Sequence, residues 1–583
     1  MRRLWRRRAA QTLAVVHDTG QLIEKSGFSR FGHLKLVWRF LVVWIGVCLI
    51  VGGLLTEQIV NLRAYYQSLK PVPGGRYTEG VSGTFTTANP LYAVNDVDTS
   101  VSRLLFAGLL KYNDNNQLTG DLAESWSVDP AGRVYTVRLR PNLTWQDGEP
   151  LTADDVVFTY HTIQNPDAQS PLYASWRGVT VQAIDDHIVT FTLPNPLSSF
   201  PSGLTNGIVP KHLLQSIDPI GLRSATFNTA DPVGAGPFRW SSIGVTGAAD
   251  NAEAQITLAP FAHYWAGAPK LTTFSVYAFA NTSAMIDAYR NQEITSMVGL
   301  DHVPSGVAAD KQSHIYNLPL TAGVYVFFQT TKAPLNDVSV RKALVAAVNR
   351  NDVIKQLGYP AHVVDEPMLK DQFAYDPTLP QVADNPAQAK TLLETSGWHL
   401  NAQGLREKDG QTLSFTLTAS DNYESKRVAG VLVPEWRAVG VDATAVFQAP
   451  ADFQSNLAQH QYDAVMDGIS IGADPDVYVY WDSSQNDPRS STQFNFSKYS
   501  STTADLALEA GRTRLDPLLR TIKYKPFLQA WQQDAPALGL YQPRLLYISH
   551  ETVYGLSASP INTDADRFRN VYNWMIHTGW VTR

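Results

Sequence analysis

A chain of 583 residues is too long for one small core and sets an expectation of about three to four domain-sized units. With 44% hydrophobic, 17% charged and 11% aromatic residues, it has the proportions of a soluble globular body, its aromatics suited to a large core or to a ligand cavity. The formal charge of −6 divides into +7 over residues 1–39 and −13 over the remainder, an acidic body that argues against nucleic acid as its main partner.

The basic excess comes first: Arg2, Arg3, Arg6, Arg7, Arg8, Lys25, Arg30 and Lys35. They precede "LVWRFLVVWIGVCLIVGGLL", Leu36 to Leu55, in which Arg39 is the one charge. Twenty helical residues span about 30 Å, the thickness of a bilayer core, and an arginine at the edge can snorkel. A transmembrane anchor is therefore expected over residues 36–56, after a basic tail over 1–35 that positive-inside logic keeps cytoplasmic. The body is then extracytoplasmic, on a single-pass membrane protein. A cleaved secretory signal fits less well, because the apolar run is long and no small-residue cleavage site follows it. Cys48, the single cysteine, lies inside this run, so the body has neither disulfides nor a thiol nucleophile.

"TEQIVNLRAYYQSLK" continues with helical character to Pro71, and "KPVPGGRY" reads as a linker, giving a juxtamembrane helix and linker over 57–75. Beyond it, strand and helix patterns mix. "VYTVRL" (134–139) and "IVTFTL" (188–193) alternate at period two, as half-buried strands do. "TADDVVFTYHTI" has Thr152 as N-cap and Asp154 and Asp155 in its first turn, where carboxylates complement the helix dipole. One helix is predicted from Asn336 or Asp337 to Gly358, with Val340, Leu344, Ala347 and Val348 on one face. Another ends near Gly440. Such mixing specifies an α/β body of more than one lobe.

"MDGISIGADPDVYVYW", Met466 to Trp481, admits two readings. Gly468-Ile469-Ser470-Ile471-Gly472 spells the G-x-S-x-G of hydrolase nucleophile elbows. Asp474-Pro475-Asp476 is an acidic turn suited to a cationic ligand, or to capping its own backbone. Against the hydrolase, "ADPD" is a poor entry into a tight helix, no His-Gly-Gly-Gly-like oxyanion loop occurs, and His550 and His577 have no recognisable setting. The "DTG" of His17 to Gly20 occurs once, before the anchor, and reads as a chance match to aspartic proteases. No H-E-x-x-H, phosphate loop or paired cysteine ligands are present, so no catalytic residue, metal or cofactor is expected.

From about Tyr77 to Arg583 the sequence resembles the solute-binding proteins of peptide- and nickel-type ABC importers. The resemblance rests on "FAGLLKYNDNNQLTGDLAESW…LTWQDGEPLTADDVVFTY" (106–160), "DPVGAGPF" (231–238), "APLNDVSVRKALVAAVNRNDVI" (333–354) and "YDAVMDGISIGADPD" (462–476), in the family's order. It implies a two-lobed, periplasmic-binding-protein-like α/β fold (type II) with an extra subdomain. The expected boundaries are lobe I over 76–110, 222–322 and 540–583, the extra subdomain over 111–221 and lobe II over 323–539.

It also implies a membrane-anchored protein that captures peptides between closing lobes and delivers them to ABC permease subunits, with no enzymatic activity. Alternatives are a membrane-tethered sensor on the same fold and a serine hydrolase using Ser470. By resemblance, Asp474, after Ala473, holds a ligand's α-ammonium group. Gly83, Thr84, Phe85 and Thr86 form a strand that pairs with an extended ligand, and Tyr478 and Trp481 wall a side-chain pocket. Asp476 is expected to cap the following helix. Where dipeptide-binding relatives place an arginine for the ligand carboxylate, this chain reads Ser420-Asp421-Asn422, which favours an oligopeptide over a dipeptide.

Overall fold

The structure, a computed structural model, describes residues 31–247, 252–486 and 494–582. The basic tail through residue 30, with its "DTG", lies outside the described residues. The chain divides into two units, residues 1–71 with 578–583 and residues 72–577.

In the first unit a 36-residue helix runs from Phe31 to Tyr66. Its stretch Trp38–Val60 has mean hydropathy 2.2 and is wholly unburied by protein. Twenty-three residues of helix measure about 35 Å, enough to cross a bilayer core. A helix this long and apolar, unburied among the described residues, is consistent with a membrane anchor. The helix stops at Tyr66, short of Pro71. Gln67–Val72 is instead a strand, paired with the terminal strand His577–Thr582, so the expected linker begins inside a sheet. Proline is tolerated there because both strands of a two-stranded sheet are edges.

Three sheets organise the second unit. The first has seven strands in the order His314–Pro319, Arg544–Ser549, Ser296–Val298, Arg76–Ser82, Thr273–Phe279, Glu253–Pro260 and Phe238–Thr246. Arg76–Ser82 is parallel to both its neighbours. Glu79 on this strand is fully buried, and its Oε1 accepts Arg567 Nη2 at 2.5 Å from 488 positions away.

The second sheet has five strands: Asp442–Gln448, Ser414–Ser420, Ala464–Ser470, Ala322–Phe328 and Ala537–Tyr541. Alternation along Ala322–Phe328 builds a core on each face. Val324, Val326 and Phe328 pack under the helices Val338–Ala347 and Tyr423–Ala438, and Tyr325 and Phe327 under Pro450–Gln459, Thr502–Arg512 and Pro517–Asp534. The third is antiparallel: Ala123–Val128, Val134–Leu139, Ile188–Thr192 and Thr180–Asp185.

The chain passes between the first two sheets twice, and the crossovers lie side by side. Leu320 N–H donates to Pro543 C=O at 2.9 Å, and Gln542 Nε2 to Leu320 C=O at 2.7 Å.

Thr152 caps its helix as expected, its N–H donating to Asp155 Oδ2 at 2.9 Å. The long helix of residues 336–358 is two: Val338–Ala347, capped by Asp337, and Arg350–Leu357, capped by Asn349. The interruption is chemical. Asn349 Oδ1 accepts the Asn351 N–H at 3.0 Å and its own N–H donates to Glu435 at 2.9 Å, satisfying groups that a continuous helix would pair internally. Gly358, at φ +77°, ends the second helix in the left-handed region.

Candidate ligand-binding cleft

Ala464–Ser470 pairs with Ala322–Phe328 along its whole length, but with Ser414–Ser420 only as far as Met466. From Asp467 to Ser470 the second edge is paired by no strand among the described residues. Ile471 N–H donates to Thr321 C=O at 2.9 Å, on the paired side. Strand alternation then directs the N–H and C=O of Gly468 and Ser470 to the open side, where the Tyr480 hydroxyl donates to the Ser470 C=O at 2.9 Å. Both residues are exposed, while Ile469 between them is buried. Gly472 N–H also reaches Thr321 C=O at 2.9 Å, and its φ of +77° makes the turn a glycine position. Ser470 is followed by this turn, and the next helix is the four-residue Tyr478–Trp481, so the strand-to-helix elbow of a hydrolase is not formed.

Asp474 is already in an ion pair. Its Oδ2 and Oδ1 accept Arg520 Nη1 and Nη2 at 2.7 and 2.5 Å, with Arg520 4% and Asp474 21% exposed at the side chain. Nothing in the local sequence signals Arg520, 46 positions away. An arriving ammonium group would meet a carboxylate whose charge is compensated.

Asp476 does not cap the next helix, whose N-cap is Val477. Its Oδ2 accepts Ser199 Oγ at 2.9 Å and Arg512 Nη2 at 3.0 Å. Ser198 N–H donates to Arg512 C=O at 2.9 Å, so the turn is tied to the chain that follows the four-stranded sheet.

Trp481 is fully buried against Tyr325, Phe327 and Trp531. A side chain that size contributes about 3 kcal/mol or more to a core. It presents no surface to a ligand here, a correction to its expected place in a pocket wall. Tyr478 is half-buried beneath the Arg512 guanidinium, 4.1 Å from its ring centre, and Ala473 is half-buried.

Gly83–Thr86 lies beyond the end of the strand Arg76–Ser82 and is irregular rather than extended into the sheet. Gly83 N–H donates to Phe279 C=O at 2.8 Å, and Phe85 packs on Trp240. The Thr86 N–H donates to Asp98 Oδ1 at 2.7 Å, and its hydroxyl bonds the same carboxylate. Thr84 and Thr86 are exposed.

A cavity of about 290 Å³ opens between the seven- and five-stranded sheets. The start of the open edge lines it, at Asp467 and Gly468, with Asp301, Glu424, Arg544 and Asp564 around it; none of the eight residues expected from sequence does. Among the described residues of its lining, four acids thus face one cation. Two of the acids are engaged. Asp301 accepts the Tyr423 N–H at 3.0 Å and meets His302 Nδ1 at 2.6 Å. Glu424 accepts Tyr541 and Tyr359 hydroxyls at 2.6 and 3.2 Å; burial raises its pKa, while these hydroxyls and Arg544 oppose the rise. Arg544 stacks on Tyr359 at 3.9 Å and donates to Asn317.

The other two acids are not so engaged. The Asp467 carboxylate is pushed up to about 6 by burial, opposed only by the neighbouring Gly468 N–H. Asp564 is also pushed up to about 6, first by burial and then by Asp96 and Asp566, against the pull of Arg567. Asp564 lines a second cavity as well, about 560 Å³, between the helix Asp96–Leu105 and residues 202–207. The signal for Asp467 was an acid inside the apolar strand "AVMDGIS"; Asp564, in "TDADRF", reads as a helix cap.

Comparisons with known proteins agree with this architecture. Residues 117–490 match the family model of bacterial extracellular solute-binding proteins, family 5 Middle. The oligopeptide-binding protein AppA of Bacillus subtilis is 26% identical over 544 residues, covering 90% of this chain and 94% of its own. The dipeptide-binding protein of Escherichia coli is 25% identical over 464 residues, covering 74% and 81%. The solved structure of Bacillus subtilis AppA with a nonapeptide aligns with TM-score 0.68 at 24% identity, over 87% of this chain and all of that one. That of Campylobacter jejuni NikZ with Ni(L-His) aligns with TM-score 0.72 at 24% identity, over 86% and 99%. The fold is the two-lobed α/β solute-binding fold.

Proposed function

Because this chain belongs to the bacterial extracellular solute-binding proteins of family 5, we propose that its body captures short peptides between two lobes and passes them to the permease subunits of an ABC importer. The open edge of Asp467–Ser470 beside the cavity carries the reading. An extended peptide laid there adds a strand, and its main chain supplies affinity without fixing its side chains. The names of the relatives, which bind oligopeptides and dipeptides, support the same solute class, and the Asp421-Asn422 departure supports the longer one.

We assign residues 76–110, 222–321 and 542–577 to one lobe, 111–221 to an extra subdomain and 322–541 to the other lobe, moving the expected boundaries to the ends of the two sheets. Gly83, Thr84 and Thr86 meet the ligand opposite the open edge, and Ala473 and Tyr478 border it. Asp474 contributes as half of a neutral pair with Arg520. The helix Phe31–Tyr66 anchors the protein, with its basic N-terminus cytoplasmic. No catalysis is assigned.

The test is native mass spectrometry of the freshly purified full-length protein in detergent, paired with calorimetry against a peptide pool. Short peptides of mixed sequence are expected to leave with the protein and to rebind. An empty protein that is also silent in calorimetry overturns the proposal.

A further inference from the structure

The cavity between the sheets has a charge pattern that backbone recognition does not require. Of its four acids, Asp301 and Glu424 are held by a backbone amide, a histidine and two tyrosine hydroxyls. Asp467 has the N–H of its own neighbour, Gly468, as its donor, and Asp564, half-buried and partly offset by the nearby Arg567, accepts no side-chain hydrogen bond among the described residues. Arg544, the one cation on the wall among the described residues, is engaged by Tyr359 and Asn317. A half-buried carboxylate whose counter-charge is incomplete costs free energy, and that cost is relieved when a ligand brings the opposite charge. Asp474 cannot play this part without giving up Arg520.

Resting on the peptide-binding reading above, we propose that the cavity is a primary-ammonium site in which Asp467 and Asp564, rather than Asp474, accept the ligand's cation. The ammonium is an α-amino group or a lysine side chain. Peptides that present an ammonium group there are preferred, and a ligand carboxylate is disfavoured beside Asp467 and Asp564. The open edge supplies the complementary half of the site: the Gly468 N–H, now turned to Asp467, is released to a ligand carbonyl when an ammonium takes its place on the carboxylate.

The experiment is calorimetry of the full-length protein in detergent with three pentapeptides. These are Ala-Ala-Lys-Ala-Ala with a free amine, the same peptide N-acetylated, and N-acetyl-Ala-Ala-norleucine-Ala-Ala, which has no ammonium. The first is expected to bind about tenfold or more tightly than the third. The second identifies the source: affinity near the first assigns the lysine, affinity near the third the α-amino group. In the double variant Asp467→Asn with Asp564→Asn, the difference between first and third is expected to shrink to less than about threefold. Equal binding of the first and third peptides by the wild type needs no variant and overturns the inference while leaving peptide capture intact. So does an undiminished difference in the double variant. Silence toward all three overturns the peptide reading, and this inference with it.

Discussion

Asp474 illustrates how a residue can stand at the expected place and carry a different charge balance. Its partner Arg520 is 4% exposed, so Asp474→Ala leaves a guanidinium enclosed without its counter-charge. The expected loss is about 3–5 kcal/mol of stability, with part recovered by adding Arg520→Met. Thermal unfolding of the full-length protein followed by tryptophan fluorescence measures both. Unfolding of Asp474→Ala at the wild-type temperature would show the pair to be dispensable. A second buried acid gives a pH signature. Glu366 is 1% exposed, its Oε1 accepts the Asp376 N–H at 3.0 Å, and its Oε2 has no hydrogen-bond partner among the described residues. Burial, aided by Asp365 and Asp376, pushes its carboxyl from 4.5 up to about 9. The folded protein therefore keeps a proton that the unfolded chain releases. The stability contributed by this group is full below pH 4.5 and is lost as pH rises toward about 9. Glu366→Gln should be more stable than wild type by on the order of 2 kcal/mol near pH 8 and little different near pH 4.5, as urea midpoints at the two values will report. Neither Arg520 nor the burial of Glu366 was legible in sequence, because both depend on neighbours distant along the chain.

At the scale of elements, local chemistry was a good guide wherever the controlling groups were close in sequence. The strands at 134–139 and 188–192, the Thr152 cap and the helix that precedes Gly440 all follow from period, cap and breaker. The sequence misled at 336–358, where apolar periodicity runs through a position that Asn349 caps, and at 83–86, where Asp98 takes the Thr86 donors. The open edge was not legible either. It exists because Ser414–Ser420 leaves its neighbour at Met466, a matter of register between strands that are far apart in the chain. Gly468 tests its use directly. A Cβ there meets only Val324 at 3.9 Å, and its φ is not in the left-handed region. Gly468→Val should therefore change stability by less than about 1 kcal/mol while placing a branched side chain where a ligand backbone must approach. Peptide affinity measured by calorimetry is expected to fall about tenfold or more. Retained affinity would show that the ligand does not lie along this edge.

At the scale of the whole molecule, the family resemblance in the sequence supplied the architecture, and long-range pairing supplied what the resemblance could not. The five-stranded sheet is drawn from one continuous stretch, residues 322–541. The seven-stranded sheet joins Arg76–Ser82 to strands ending at Ser549. Glu79 sits at the middle of that difference. During synthesis the five-stranded sheet has all its strands before Arg544–Ser549 exists, and Glu79 waits for Arg567 longer still. Until then it is an acid on a strand that cannot be buried without penalty. Glu79 can therefore be enclosed with its counter-charge only in a chain that has brought Arg567, 488 positions later, back to its first strand.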